Sequence, residues 1–529
     1  MATFSLHSTV ADLKGHLAGA DFEAAWSLVK DLDPNSLADG ADMNDANITD
    51  ALKLRSMAAE VCDYRGDYAK AGEFVGKAGE FCHRSLRSLE PTTRLDEKGR
   101  EKVLQQVWTA MQGGLVHYRS VDYDGALNLF EAAGHGLKNS SMVAQNPRWG
   151  TKARVQYSLG LVHREKYELN QAIQCFTAST ELAYEKLKDP KGKGFSNLAH
   201  VALARSIGMG LASVHNTLGR PDLAAPLLMA AKAILPEGEK LISTHLDLIR
   251  ANLLRLSPQD GAESDSLKPL KECYTTFSRA EHALYRARAA YLLSKEYVQN
   301  ARPDETKPLR PKDKELLQLA EELLRNLEFS MSGDLRFQFY GLLLRSQIAR
   351  KRSSLEHAEE LAGLGLSQAS STRYPSIFMD LSIARGLTRM RNGNPKGALD
   401  DFSAGAQTAE TSKNRRLQAL FYLYLCQASS ALSRDHDAAR HLRRFEELSQ
   451  FMEVKTEDVA ILEGATREIA AKRGPEFILT LKDDLDPEEV QRRFRRFLVE
   501  WARHHTENDG EAAAKLDISR QTLYNWLQH

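Results

Sequence analysis

Polar side chains near the C-terminus stand at spacings that would place them together on one face of a short helix. Arg520 and Gln521 are followed one turn later by Tyr524 and Asn525. A guanidinium group suits guanine and a side-chain amide suits adenine in the major groove of DNA, because each can form two hydrogen bonds with that base. The pattern therefore predicts contacts with base edges and phosphates. The residues assigned to these contacts are Ser519, Arg520, Gln521, Thr522, Tyr524, Asn525 and Lys515.

A cluster of arginines precedes this segment on the helix before it. Guanidinium groups neutralise phosphates and release counterions, so such a cluster beside a set of base-reading side chains predicts phosphate contacts. A run of charge on a helix is also typical of a face that only contacts water, and this alternative stays open. The arginines concerned are Arg492, Arg493, Arg495, Arg496 and Arg503.

The elements that would position these side chains follow from apolar spacing and helix-start residues. Pro487, with two glutamates after it, suits the first turn of a helix. The apolar residues of that helix repeat at i, i+3, i+4 and i+7, which predicts one apolar stripe. The stripe consists of Phe494, Phe497, Leu498 and Trp501.

Two shorter helices are predicted after this stripe. Asn508 followed by Glu511 can form a capping arrangement for the first of them, and Ser519 can cap the last. A short alanine-rich helix, a tight turn and a capped helix are typical of a helix-turn-helix. The residues predicted to fill the core between the two helices are Ala513, Ile518 and Leu523.

The segment HHTENDGEAAAKLDISRQTLYNWL, residues 504–527, resembles the DNA-binding domain of the Fis family. Asp517 replaces the usual turn glycine, and Trp526 stands where the family usually has a lysine, which removes one phosphate contact. The residues that match the family motif are Ala512, Ala513, Leu516, Ile518, Arg520, Thr522, Leu523 and Leu527.

This resemblance implies more than DNA binding. In the Fis family the helix before the motif helps to form a dimer, and a dimer would read a two-fold operator. By that resemblance the apolar stripe is assigned to dimer contacts as well as to local core. The predicted dimer contacts are Phe494, Phe497, Leu498 and Trp501.

A second pattern repeats through most of the chain. Gly160, Ala172 and Phe176 are separated by 12 and 4 residues, as expected when two antiparallel helices approach closely at small residues and a large side chain fills the groove. The same offsets recur elsewhere, more weakly in some copies. These copies begin at Ala59, Gly114, Ala212, Gly386 and Cys426, and Ser346, Ala358 and Ala362 form one blurred copy.

These offsets resemble the tetratricopeptide (TPR) consensus over roughly residues 50–450. Successive alanine positions at 71, 126, 172 and 224 are 55, 46 and 52 residues apart, so the helices or loops must be longer than in the standard repeat. Residues 240–375 are predicted to be helical but match poorly. Stacked helix pairs form a concave face, which predicts a peptide or protein ligand there.

The composition excludes several classes of protein. Lys plus Arg and Asp plus Glu both number 71, so nucleic acid would have to bind a local patch. Five scattered cysteines without a CxxC pair argue against disulfides and a zinc site. No sequence motif for catalysis, a metal or a cofactor is found, so we predict no enzyme, no catalytic residues and no cofactors. The sequence has no apolar stretch long enough to span a bilayer, and its N-terminus does not resemble a signal peptide. We therefore expect a cytoplasmic protein with no membrane partner.

We therefore predict an all-α protein with a TPR-like superhelix and a small C-terminal helix-turn-helix domain. The expected divisions are an N-terminal helical cap (1–50), the repeat array (51–470), a linker (471–486) and the Fis-type domain (487–529). The predicted function is transcriptional regulation, in which the array senses a peptide, small molecule or partner protein. The alternative is a TPR adaptor whose C-terminal domain binds protein, and an enzyme within 240–375 has no motif to support it.

Overall fold

A computed structural model gives the fold of this protein. It describes the following residues: 6–18, 22–34, 37, 45–90, 95–139, 148–188, 196–218, 220–256, 266–280, 282–301, 309–330, 334–372, 374–449, 495, 498–499, 502–503, 506, 508–516 and 518–528. All regular elements within these residues are helical, which confirms the predicted all-α class.

The helices of the N-terminal half begin and end as follows: α1 (Leu6–Ala18), α2 (Phe22–Val29), α3 (Asp45–Arg65), α4 (Tyr68–Arg87), α5 (Glu97–Arg119), α6 (Tyr123–Asn139), α7 (Arg148–Glu165), α8 (Leu169–Lys188), α9 (Ser196–Ala204), a π-helical segment (Arg205–Leu211), α10 (Ala212–Thr217) and α11 (Pro221–Ile234). Those of the C-terminal half are α12 (Lys240–Leu256), α13 (Leu267–Arg279), α14 (Ala283–Asn300), α15 (Pro311–Ser330), α16 (Leu335–Lys351), α17 (Leu355–Thr372), α18 (Pro375–Arg391), α19 (Pro395–Thr411), α20 (Arg415–Ala431), α21 (Asp435–Ser449), α22 (Asp509–Lys515) and α23 (Arg520–Gln528).

From α3 to α21 the helices stack as successive pairs, and α9, the π-helical segment and α10 together serve as one first helix. The close approach predicted from the repeat pattern is present within the pairs. A Cβ atom added to the small residue would lie only 2.3–2.7 Å from the ring of the partner phenylalanine. The pairs concerned are Gly114 with Phe130, Gly160 with Phe176, and Gly386 with Phe402.

The poorly matching region is helical in the residues described, as predicted, and its blurred copy packs like the others. Ser346 of α16 and Ala358 of α17 are fully buried, and the Ser346 hydroxyl donates to the Ala358 carbonyl at 2.7 Å. At the N-terminus, α1 and α2 bury Leu13 and Val29 against α3 and α4. The predicted linker, 471–486, lies outside the described residues.

The turn inside a helix pair has a recurring geometry. One residue, two positions before the second helix, adopts a left-handed conformation, with φ of 85° at Gly66 and 72° at Gly393. Val121 and Tyr167 take the same position with φ of 62° and 60°, although left-handed backbone is unfavourable for residues with a Cβ atom. The next residue often caps the helix, as Asp67 does by accepting from the Lys70 amide.

The stack of helices turns back on itself, because first helices far apart in sequence meet across its axis. The Tyr374 hydroxyl at the start of α18 donates to Glu165 at the end of α7, 3.3 Å away. Tyr64 of α3 donates to the Ala280 carbonyl at 2.8 Å, after α13. One apolar core therefore joins helices α3–α7 to α16–α18.

Among the described residues, none of the helices combines the length and apolar character needed to cross a bilayer.

Candidate nucleic-acid interface and concave cavity

The C-terminal domain is built on a small core between three helical segments. Leu523 of α23 is fully buried against Ala512 and Ala513 of α22, where the absence of a larger side chain lets the helices cross. Ile518, in the turn, packs on the same core, and its amide donates to the Ala513 carbonyl at 3.0 Å. The core positions predicted for Ala513, Ile518 and Leu523 are thus confirmed.

Both predicted caps are present in the structure. The Asn508 side chain accepts hydrogen bonds from the Gly510 and Glu511 amides at 3.0 Å and donates to the Glu511 carboxylate at 3.1 Å. The Ser519 hydroxyl accepts from the Thr522 amide at 3.0 Å. These bonds satisfy amides that the first turns of α22 and α23 leave without a helical partner, and so they fix where each helix begins.

The side chains predicted to contact DNA mostly lie on the surface of this domain. Thr522 is the exception, because it is half-buried and its hydroxyl shares a 2.8 Å hydrogen bond with Ser519. Tyr524 keeps 46% of its surface exposed. The exposed residues are Lys515, Ser519, Arg520, Gln521, Tyr524 and Asn525.

An acidic residue that the sequence analysis did not single out lies among these side chains. Asp509, the first residue of α22, receives two hydrogen bonds from Arg503, at 2.8 and 2.9 Å, and one from the Tyr524 hydroxyl at 3.1 Å. The hydrogen bond from Arg503 is the main reason that the pKa of Asp509 lies below its ordinary value, and the charge on Arg520 adds to it. Two side chains assigned to DNA contact are therefore engaged within the domain.

The helical segment before α22 is described only in part. Arg495 is exposed, and its guanidinium lies 5.7 Å from the centre of the Trp526 ring. Leu498 is half-buried, whereas Val499 and Ala502, which the predicted stripe did not include, are fully buried in the core. The remaining predicted phosphate and dimer contacts lie outside the described residues: Arg492, Arg493, Phe494, Arg496, Phe497 and Trp501. The turn residue Asp517 does as well.

In the array, a largely buried carboxylate links helices across the axis. Glu165 accepts from Arg164 at 2.8 Å, from the Tyr118 hydroxyl at 3.2 Å and from the Tyr374 hydroxyl at 3.3 Å. Burial alone would raise the pKa of Glu165, but the charges on Arg164 and Arg336 outweigh it, so the pKa lies below its ordinary value. Glu165 is accordingly held as a carboxylate.

A cavity of about 290 Å³ adjoins this carboxylate on the concave face. Its wall is formed by the first helices of consecutive pairs, from α7 to α18, and includes three arginines. The arginines are Arg164, Arg288 and Arg336. Sequence reasoning did not find this cavity, because its wall combines residues separated by more than a hundred positions.

The comparisons with known proteins agree with both parts of the chain. Residues 494–529 match the family model of a helix-turn-helix domain. Among curated proteins, none matches the sequence.

One solved structure shares the fold of the array at low sequence identity, and two others match less closely. A Rap protein complexed with competence and sporulation factor has a TM-score of 0.50 and 9% identity, with 77% of this chain and 98% of that chain covered. The apo form of RapI has a TM-score of 0.40 and 10% identity, covering 77% and 98%. Yeast Tom70 has a TM-score of 0.38 and 11% identity, covering 97% and 99%. The chain is therefore a TPR-like helical repeat array followed by a C-terminal helix-turn-helix domain.

Proposed function

We propose that this protein is a DNA-binding transcriptional regulator whose TPR-like array senses a ligand. The observation that carries the proposal is the helix-turn-helix at residues 494–529, with Arg520, Gln521 and Asn525 exposed on its last helix. Guanidinium and amide side chains on such a helix can read base edges in the major groove. By this proposal the protein performs no catalytic step of its own and acts in the cytoplasm of a bacterium, where a regulator of the Fis type would meet its operator.

A homodimer on a two-fold operator fits this proposal. The domain has a small core, and Leu498 remains partly exposed beside the fully buried Val499. A second copy could cover that apolar surface, and two helix-turn-helix units related by a two-fold axis would meet equivalent half-sites. The concave face of the array supplies the place for a peptide, small-molecule or protein ligand, since stacked helix pairs commonly bind partners there.

DNA binding is tested by titrating the full-length protein onto random duplex DNA at low and moderate salt. Because phosphate contacts release counterions, we expect the affinity to fall steeply as salt rises. The double variant Arg520→Ala/Gln521→Ala should lose binding. A matched control, Arg325→Ala/Gln318→Ala, removes the same two residue types from the exposed face of α15 and should bind as the wild type does.

If neither the wild type nor the control binds DNA, with or without cell extract to supply an effector, the regulator proposal is wrong. The protein would then be an adaptor, and affinity capture should recover protein partners that depend on residues 494–529. If the wild type binds and the α23 double variant binds equally, the helix-turn-helix is not the DNA-contacting element.

A further inference from the structure

The cavity on the concave face has an unusual distribution of charge. Arg164 donates to Glu165 at 2.8 Å, so the charge of this arginine is neutralised inside the wall. Arg336 is likewise paired with Asp334, which is completely buried, through a hydrogen bond of 2.9 Å from its Nε atom. Arg288 is the third arginine, and within the part of the chain that the structure describes it has no carboxylate within ion-pair distance.

The hydrogen-bonding neighbour of Arg288, His245, cannot neutralise its charge. The distance from Arg288 Nη1 to His245 Nε2 is 3.4 Å. Only 4% of the surface of His245 is exposed. Burial, and then the charge on Arg288, holds the pKa of His245 well below its ordinary value, so the ring is uncharged. When Nε2 accepts from Arg288, Nδ1 carries the proton, and this buried Nδ1 atom has no hydrogen-bond partner.

These two residues leave hydrogen-bonding capacity unused in the cavity wall. The charge on Arg288 contributes to the lowered pKa of Glu165, but Glu165 is already bonded to Arg164, so Arg288 has no ion pair of its own. A partly buried guanidinium without an ion pair and a buried N–H group without an acceptor are both unfavourable, and a bound anion would relieve the charge directly. Arginine binds carboxylates with two parallel hydrogen bonds, which favours a planar carboxylate over a spherical anion.

The rest of the wall indicates what the carboxylate is attached to. Tyr291 and Tyr340 stack at 4.4 Å between ring centres, and Tyr157, Leu161 and Ile249 add apolar surface. At about 290 Å³ the cavity is near the lower end of ligand sites, which span roughly 300–1,000 Å³, so it suits a small molecule or one terminal residue better than a whole peptide.

The backbone around the cavity is also irregular at this point. The first helix of the fourth pair contains a π-helical segment, Arg205–Leu211, and Met209 within it lines the cavity. Gly210 of this segment lies so close to Phe176 that an added Cβ would be 2.6 Å from its ring. Single π-helical turns occur frequently at functional sites, because they change the direction of the side chains that follow.

We infer that this cavity binds an aromatic or apolar carboxylate, with the carboxylate on Arg288 and the body of the ligand against the tyrosines. The carboxylate can belong to a small free acid or to the C-terminal residue of a peptide. This inference names the ligand class for the sensing array and rests on the proposed function only for its regulatory consequence.

Calorimetric titration of the full-length protein, without DNA, tests the inference with two probes. Phenylacetate represents a small acid, and N-acetylglycylphenylalanine represents the end of a peptide. Each is compared with its neutral amide, which has the same shape and no charge. We expect at least one acid to bind saturably with one site per chain, and its amide to bind at least tenfold more weakly. The acid that binds identifies the source of the carboxylate.

Three variants locate the site. Arg288→Gln should weaken binding of the acid at least tenfold, whereas Arg286→Gln, the same change two residues earlier on α14 and outside the cavity wall, should leave it unchanged. Ser213→Phe keeps every charge but fills the cavity from α10, and it should abolish binding even if Arg288→Gln fails to fold.

The inference is wrong if neither acid binds at millimolar concentration, if the amides bind as tightly as the acids, or if Ser213→Phe binds like the wild type. Its failure is distinguishable from failure of the proposed function. Acid binding without salt-dependent DNA binding would retain the site and reject the regulator, and DNA binding without acid binding would do the reverse.

Discussion

At the scale of single residues, Asp509 places a negative charge among the predicted DNA contacts of the helix-turn-helix. Its carboxylate holds Arg503 and Tyr524 by hydrogen bonds and lies close enough to Arg520 for their charges to interact. Each of these three side chains is a predicted DNA contact, and a carboxylate also repels phosphates. Asp509 should therefore oppose DNA binding while it orders the side chains that perform it.

We predict that Asp509→Asn increases DNA affinity. The carboxylate repels phosphates and holds the Arg503 guanidinium, so removing its negative charge should raise affinity by roughly a few-fold at low salt and by less as salt rises. Asp509→Glu keeps the charge and is the matched control, with affinity expected to stay near that of the wild type. Titration of labelled duplex DNA measures both. A fall in affinity for Asp509→Asn with unchanged thermal stability would show that ordering of Arg503 outweighs repulsion.

We predict that His282 makes the stability of the array depend on pH. Its ring caps α14, stacks on Tyr285 at 4.0 Å and lies 4.7 Å from Tyr64. Burial, and to a smaller extent the charge on Arg119, lowers its pKa to about 4, although Asp63 opposes this. The pKa of an unfolded histidine is about 6.5, so at pH values between the two pKa values the unfolded state binds more protons and the free energy of unfolding falls as pH decreases.

This pKa shift predicts that the free energy of unfolding falls by about 2 kcal/mol between neutral pH and pH ~5 because of His282. His282→Asn keeps a side chain that can cap α14 and removes the titration. Urea unfolding at both pH values should show that the variant loses about 2 kcal/mol less stability than the wild type on acidification. Equal losses in the two proteins would mean that His282 is protonated in the folded state.

At the scale of helix pairs, the sequence pattern predicts packing well where it depends on residues close in the chain. The offsets of 12 and 4 residues place Gly386 opposite Phe402, and the structure has them in contact. The same reasoning does not predict the left-handed backbone of Val121 and Tyr167, because glycine is the residue usually expected at such positions. Those turns are fixed by the pairing of the helices on either side rather than by the turn residue itself.

We predict that Gly386→Ala destabilises the array, because the new Cβ would lie 2.3 Å from the Phe402 ring. Overpacking of this kind costs about 1–3 kcal/mol. Gly76→Ala on α4 is the control, since nothing lies within 4 Å of its added Cβ, and it should stabilise by about 0.5–1 kcal/mol through helix propensity. Thermal unfolding of both variants checks the pair. Similar stabilities for the two would show that α18 and α19 can separate without cost.

At the scale of the whole molecule, sequence analysis does not predict contacts between residues that are far apart in the chain. Glu165 is the last residue of α7 and Tyr374 directly precedes α18, and 209 residues separate the two. Local sequence patterns do not predict that the array curves far enough for these two residues to form a hydrogen bond. The cavity follows from the same closure, since Arg164, Arg288 and Arg336 come together only when α7, α14 and α16 face one axis. The repeats predict a ligand on the concave face, and this stays a prediction, whereas the charge and size of the cavity could not be predicted from the sequence.

Closure of the array predicts that a change at Glu165 acts at a distance. Glu165→Gln retains an oxygen that accepts hydrogen bonds but leaves the partly buried Arg164 without its counter-ion. Losing one partner of a fully buried pair costs about 3–5 kcal/mol, so we expect a smaller destabilisation here. Because Tyr374 depends on the same carboxylate, hydrogen exchange should accelerate both at the end of α7 and at the start of α18.

The matched control for this prediction is Glu131→Gln on α6, whose ion pair with Arg87 is exposed on the surface. An exposed pair contributes little, so exchange there should change only in neighbouring helices. If Glu165→Gln accelerates exchange in α7 alone, the two ends of the array are not energetically coupled through this carboxylate. Faster hydrogen exchange in both α7 and α18 would show that the two helices are energetically coupled through Glu165. A ligand bound beside Glu165 could then change the stability of both helices.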